Sequence, residues 1–237
     1  MTGYSGSIEY GRKEIAYHVF YADRKTLEIA VQPDGRVTVK APKGTTPAAV
    51  EKRVVKRARW IRRQLNYFHQ FEPRTPPRRY VGGETHLFLG RQYRLKIIKH
   101  QDNVVKLKGA HFAVMTPASD SRQKIKQLLT EWYQKHAQDI FAKRLQHCYE
   151  NAMGLKVSYP VVKLKKMAKR WGSCSKGGEI LLNKELVKAP LYCIDYVIMH
   201  ELCHLKEHTH NNGYYKLLSK YMPDWEKRKE KLEKAFL

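Results

Sequence analysis

The chain opens with apolar and polar residues in alternation rather than at helical spacing. Residues 14–22 (EIAYHVFYA) and 25–31 (KTLEIAV) are rich in β-branched and aromatic side chains. Residues 36–41 (RVTVKA) alternate strictly after Asp34-Gly35, a hairpin turn signal. Pro42 ends that strand. Thr46-Pro47 then joins a capping residue to a proline at the first helical position, which predicts a helix from there to about 71. Val50, Val54, Trp60, Ile61, Leu65 and Phe68 form its apolar stripe. Residues 72–79 (EPRTPPRR) break the pattern. Strands resume over 85–89, 92–99, 103–108 and 110–115. The period then returns to 3.6 over 119–153, a long amphipathic helix carrying Ile125, Leu128, Leu129, Trp132, Ile140, Phe141 and Leu145, with Gly154 as its stop. Short strands at 161–167 and 179–183 precede the last helices. No internal repeat and no low-complexity tract is visible. The order of elements predicts an α+β fold in two regions, a β-rich 1–118 with one basic helix and a more helical 119–237.

With 237 residues, 42% hydrophobic and 11% aromatic, the chain can bury a core and is not disordered along its length. No stretch approaches the roughly 18 uninterrupted apolar residues of a spanning helix, so no membrane partner is expected. The first residues, MTGYSGSIEYGRKE, hold no apolar segment of a signal peptide. Cys148, Cys174, Cys193 and Cys203 form no CxxC pair, which points to a reducing, cytoplasmic setting rather than a disulfide scaffold. The charge changes the picture. The formal net charge is +24, and Lys52, Arg53, Lys56, Arg57, Arg59, Arg62 and Arg63 crowd the polar side of the first helix. A field of this sign attracts phosphate backbones, which makes nucleic acid a candidate partner and these seven residues its candidate contacts. The plainer reading is a solvated basic face.

The chemistry concentrates in His200-Glu201-Leu202-Cys203-His204, inside a helical pattern whose stripe is Leu191, Ile194, Ile198, Leu202 and Leu205. His200 and His204, at i and i+4, project from one side of the helix one turn apart and can share a metal ion. Glu201 is rotated by about a quarter turn, close enough to take a proton from a water on the metal without binding the metal itself. Neutral imidazoles suit zinc, and three protein ligands leave a fourth position open. Burying His-Glu-His in so apolar a helix with no ligand would be costly. His208 continues the row, but its Cα would lie about 12 Å from that of His200 on a straight helix, too far to close a tetrahedron. If the helix ends near 206 or 207, His210 can fold back as the third ligand, with Asn211-Asn212-Gly213 supplying a turn. Glu226 or Glu230 from the final helix is the other solution.

The segment 200–210 (HELCHLKEHTH), with Tyr214 four residues on, resembles the YgjP-like metallopeptidases, which belong with the SprT-like and WLM zincins. Residues 170–175 (RWGSCS), 179–186 (EILLNKEL) and 194–204 (IDYVIMHELCH) follow that family in order and spacing, and 58–65 (ARWIRRQL) and 81–95 (VGGETHLFLGRQYRL) are similar to its amino-terminal half. Where the family often has Phe-Trp after the third histidine, this chain has Gly213-Tyr214-Tyr215. The resemblance implies a zincin-like catalytic core within 119–237, one Zn2+ per chain held by His200, His204 and His210, and Glu201 as general base. It also implies a strand beside the active-site helix that holds an extended peptide or protein substrate.

The expected substrate strand is 179–183, with Leu182 and Asn183 in contact with substrate; an ordinary core strand is the alternative. Arg170 is a candidate for stabilising an oxyanion or a substrate carboxylate, against a structural ion pair with Asp195. Tyr214 is a candidate for polarising a carbonyl, against simple packing. Cys174 and Cys203 read as small core residues rather than extra ligands. The expected function is a zinc metallopeptidase, acting on nucleic-acid-associated proteins. The alternatives are a basic nucleic-acid-binding protein with a secondary zinc site and a metal-dependent hydrolase of another bond.

Overall fold

The computed structural model describes residues 3–11, 13–32, 34–69, 78–168, 170–175 and 177–236. The expected end of the first helix at 71 and most of the proline-rich break lie outside them. The chain divides into two compact units, Met1–Pro76 and Pro77–Phe236. This division departs from the boundary expected at 118. The strands between 85 and 116 share one core with the long helix that follows, so they belong to the second unit.

In the first unit, strands β1 (Gly3–Tyr10), β2 (Lys13–Ala22), β3 (Glu28–Val31) and β4 (Val37–Pro42) form a sheet in the order β1-β2-β4-β3. The β2–β4 pair is parallel and the outer pairs are antiparallel. Strand β1, rich in Gly and Ser, carries no strong alternation and was not singled out by pattern. Helix α1 (Pro47–His69) starts where Thr46 Oγ1 accepts the Ala49 N–H at 3.3 Å. Its Val50, Val54, Ala58 and Ile61 pack with Ile15, Tyr17, Val19, Val37, Val39 and Ala41 in one core. Ala58, not Trp60, continues the seam; Trp60 lies off it and is 37% exposed.

In the second unit, β5 (Thr85–Phe88), β6 (Arg91–Lys99), β7 (Val104–Lys108) and β8 (His111–Thr116) form a sheet in the order β5-β6-β8-β7, again with a parallel central pair and antiparallel outer pairs. Helix α2 (Arg122–Asn151) follows. The chain therefore repeats one ββββα topology, which the sequence does not reveal. A pleated sheet demands only an inward-outward alternation and turn residues that tolerate positive φ, so side chains can diverge freely. Gly35 and Gly109, in the equivalent third-to-fourth-strand connections, keep φ values of +78° and +57°.

A third sheet combines β9 (Val161–Lys165), β10 (Gly172–Cys174) and β11 (Glu179–Asn183) in the order β10-β11-β9. Three helices complete the unit: α3 (Leu191–His204), α4 (Asn212–Tyr221) and α5 (Trp225–Phe236). Helix α3 is buried on nearly all sides; Ile194, Ile198 and Leu202 are core residues as expected, whereas Leu191 at its start is exposed. It is tied to α2 by the Arg144 guanidinium, whose Nε and Nη2 donate to the two Asp195 oxygens at 2.6 and 2.7 Å. Among the described residues, no helix is long and apolar enough to cross a membrane.

Candidate metal centre

His200 and His204 sit one turn apart near the C-terminus of α3, the geometry that i, i+4 spacing dictates. The helix ends at His204. The chain then turns, and Asn211 caps α4 by accepting the Tyr214 N–H on its Oδ1 at 2.8 Å. That reversal sets His210 against the pair. The three Nε2 atoms lie 3.2 Å (His200–His204), 3.1 Å (His204–His210) and 3.2 Å (His200–His210) apart. A tetrahedral ion with bonds of about 2.0–2.1 Å needs ligand separations of about 3.3 Å, so this triangle fits one small cation. Among the described residues, the cluster holds these three donors and no fourth His, Cys, Asp or Glu. His210 is exposed, so the group opens to solvent on that side.

The donor chemistry agrees with the geometry. The His204 Nδ1–H donates to the Glu207 carbonyl at 2.9 Å, which leaves the lone pair of Nε2 facing the centre. Burial, then the neighbouring imidazoles of His204 and His210, pushes the His200 imidazolium down to about 3. Burial likewise lowers His204, against the pull of its hydrogen bond to Glu207. Both rings therefore stay neutral at ordinary pH, the state in which imidazole binds a metal.

Glu201 follows His200 and is 4% exposed. Its Oε2 has no hydrogen-bond partner among the described residues, and burial pushes its carboxyl up to about 8, with Arg170 pulling it back. Burial of this carboxyl, one residue after His200, thus moves its proton affinity toward neutral pH. Strand β10 makes room for it. A Cβ placed on Gly172 would lie 2.9 Å from both Cδ and Cγ of Glu201 and closer still to Oε1. Any larger side chain at 172 would displace the Glu201 carboxyl.

The other expected site residues fall differently. Strand β11 is the central strand of its sheet, hydrogen-bonded to β10 on one side and β9 on the other, so it has no free edge for a substrate. Leu182 is fully buried. Asn183 spends its side chain on the loop, donating to the carbonyls of Met167 and Arg170 at 2.8 and 3.0 Å and accepting the Glu185 N–H. Tyr214 is buried beneath the triad: its ring stacks on His204 with centroids 4.5 Å apart, and its hydroxyl donates to the His200 carbonyl at 3.2 Å. Of these three, only Tyr214 contacts the imidazoles. Arg170 is exposed, and its charge acts on Glu201; the partner of Asp195 is Arg144 instead. His208 is exposed, and Glu226 and Glu230 are exposed on α5 outside the histidine cluster. Cys203 is core, but Cys174 is half-buried, and the Glu201 charge helps raise its thiol after burial does. The seven cations of α1 belong to the first unit.

Sequence reasoning assigned no role to Gly172 and left Tyr214 between polarising a carbonyl and packing; its ring packs on His204. The glycine stands in the Trp171-Gly172-Ser173 run, but its reason for being glycine is a side chain far along the chain.

The metallopeptidase zymogen of Pyrococcus abyssi, abylysin, matches with a TM-score of 0.36 and 20% identity, over 39% of this chain and 90% of its own. The metallopeptidase zymogen of Methanocaldococcus jannaschii, jannalysin, matches with a TM-score of 0.33 and 22% identity, over 39% of this chain and 92% of its own. Comparison with curated proteins gives no match. The family description "YgjP-like, metallopeptidase domain" matches residues 25–235. Matched over nearly its whole length, the chain belongs to the YgjP-like metallopeptidase family.

Proposed function

We propose that this metallopeptidase is a zinc enzyme in which His200, His204 and His210 hold one ion and Glu201 carries the proton. The observation behind this reading is the near-equilateral triangle of Nε2 atoms, with the next residue after His200 a buried carboxyl whose Oε2 has no partner among the described residues. Bound zinc supplies Lewis acidity, which draws the pKa of a water toward neutrality. Glu201 Oε2 accepts a proton from the attacking water and returns it to the leaving amine of the peptide. Tyr214 and the Glu207 carbonyl hold the imidazoles in register, and Gly172 leaves the Glu201 carboxyl its space.

Strand β10 replaces β11 as the place for an extended peptide. It is an edge strand of its sheet and packs on α3 beside Glu201, so its outer main chain, with no strand partner among the described residues, can pair with a substrate. Arg170, just before that edge, is suited to a substrate carboxylate or to developing negative charge. The charge of +24 supports substrates that are proteins associated with nucleic acid. The free thiols support a cytoplasmic setting.

Elemental analysis of protein purified without a metal-affinity tag tests the site. The expected result is one zinc per chain, lost in His204→Ala. Glu201→Gln should keep the zinc and lose hydrolysis of an unstructured protein substrate. Full activity in Glu201→Gln would sink the proton-carrier assignment.

A further inference from the structure

The repeated ββββα topology provides an internal control for the basic helix. Counted from their first residues, Val50, Val54 and Ala58 of α1 fall at the positions of Ile125, Leu129 and Tyr133 of α2, and all six are buried. The two helices thus meet the same requirement at the same places. The face opposite that seam differs. On α1 it is Lys52, Lys56, Arg59 and Arg63, spaced four, three and four residues apart and therefore in one row. At the corresponding positions α2 has Gln127, Glu131, Gln134 and Gln138, also exposed. The scaffold does not ask for cations there, since its second copy does without them. None of the four cations has an ion pair among the described residues, and all are exposed.

Resting on the reading that this protein meets nucleic acid, we propose that the Lys52–Lys56–Arg59–Arg63 row is the docking face for a double-stranded phosphate backbone. The row is about 16 Å long, which spans roughly ten duplex charges. Arg53 and Arg62 flank it and widen the positive strip, while Arg57 lies nearer the buried seam. An anionic bilayer fits less well. A surface-lying helix needs a free apolar face, and the apolar seam of α1 is already buried within its own unit. With contacts to phosphate alone, the row binds without regard to base sequence.

The test measures binding of a short mixed-sequence DNA duplex to the full chain between about 50 and 200 mM salt. It compares the intact protein with a row variant, Lys52→Gln, Lys56→Gln, Arg59→Gln and Arg63→Gln. A charge-matched control carries Lys99→Gln, Lys106→Gln, Lys108→Gln and Lys135→Gln, all exposed in the second unit. Circular dichroism and melting curves establish that both variants fold. If the row docks the duplex, its variant loses about 3.6 from the log–log salt slope and roughly 100-fold or more in affinity near 0.1 M salt, and the control loses much less. Equal losses in the two variants would overturn the assignment to α1 while leaving nucleic-acid binding intact. No duplex binding by the intact chain would overturn that binding itself and the docking face with it. Tighter binding to phosphatidylserine vesicles than to the duplex, lost in the row variant, would give the face to a membrane and overturn the proposal.

Discussion

At position 172 the lack of a side chain decides how much room the Glu201 carboxyl has. Gly172→Ala would push a methyl group into the Glu201 carboxyl. The expected outcome is a fall in activity of about 100-fold at unchanged zinc content, because a displacement of about 1 Å at a reacting group costs that much. Peptidase kinetics beside metal analysis reads it. Tyr214 supports the triad by packing more than by its hydroxyl. Tyr214→Phe keeps the stack on His204 and should cost at most about 1 kcal/mol. Tyr214→Ala opens a cavity under all three imidazoles and should weaken zinc affinity by about 10–100-fold in a competition titration with a chelator. A third residue sets an acid response. His86 is buried and its pKa lies below 6.5, because burial outweighs the attraction of Glu84. Its folded value is depressed, so the stability it contributes is present above pH 6.5 and is lost as pH falls below that toward the folded value. Glu84 adds to this at lower pH: burial would raise its carboxyl, but the Arg79 and Tyr80 amides overcome that and lower it, so its contribution fades as pH falls below 4.5. Melting temperature should therefore drop between pH 7.5 and 5.5 in the intact chain and drop less in His86→Phe.

Helices α2 and α3 are locked by one charged clamp at their interface. Arg144→Ala leaves Asp195 largely buried without its partner and should destabilise the second unit by about 3 kcal/mol, read as a shifted denaturation midpoint at unchanged slope. The elements themselves were mostly readable. Helix α1 follows from its apolar stripe and Thr46-Pro47, α2 and α3 from their apolar stripes, β2 and β3 from β-branched and aromatic runs, and β4 from alternation. Strand β10, with three residues, carries no periodicity long enough to detect. The expectation that β11 would be a free edge failed for a related reason. Alternation reports which face of a strand is buried, not which of its two edges is paired. Trp60 was placed in the α1 seam because it is apolar, while its angle around the helix puts it outside and gives the place to Ala58.

Across the whole molecule, two compact units each with its own core predict two calorimetric transitions. Zinc at about a thousand times its dissociation constant should raise the transition of the second unit by roughly 10 °C and leave that of the first in place. His204→Ala should abolish the shift. A single transition that moves as one would show that the two units melt together. The expected boundary at 118 followed the change from strands to helix. The observed division instead follows the ββββα repeat, in which each helix closes the sheet before it.

The sequence by itself determined what rests on short separations along the chain. His200, Glu201 and His204 are one turn of one helix, so their spacing carries their geometry. The family is likewise legible, because motifs are strings in order. The rest depends on contacts between distant segments. The resemblance already implies His210 where spacing leaves Glu226 and Glu230 open, and the fold supplies the reason: the chain reverses after His204, and Asn211 caps the next helix. Asp195 goes to Arg144, Tyr214 goes beneath the imidazoles, and Gly172 leaves room for the Glu201 carboxyl because each meets a group from a distant element. The repeat became visible only in strand order, since backbone pairing preserves a topology that side chains, selected only for facing inward or outward, no longer record.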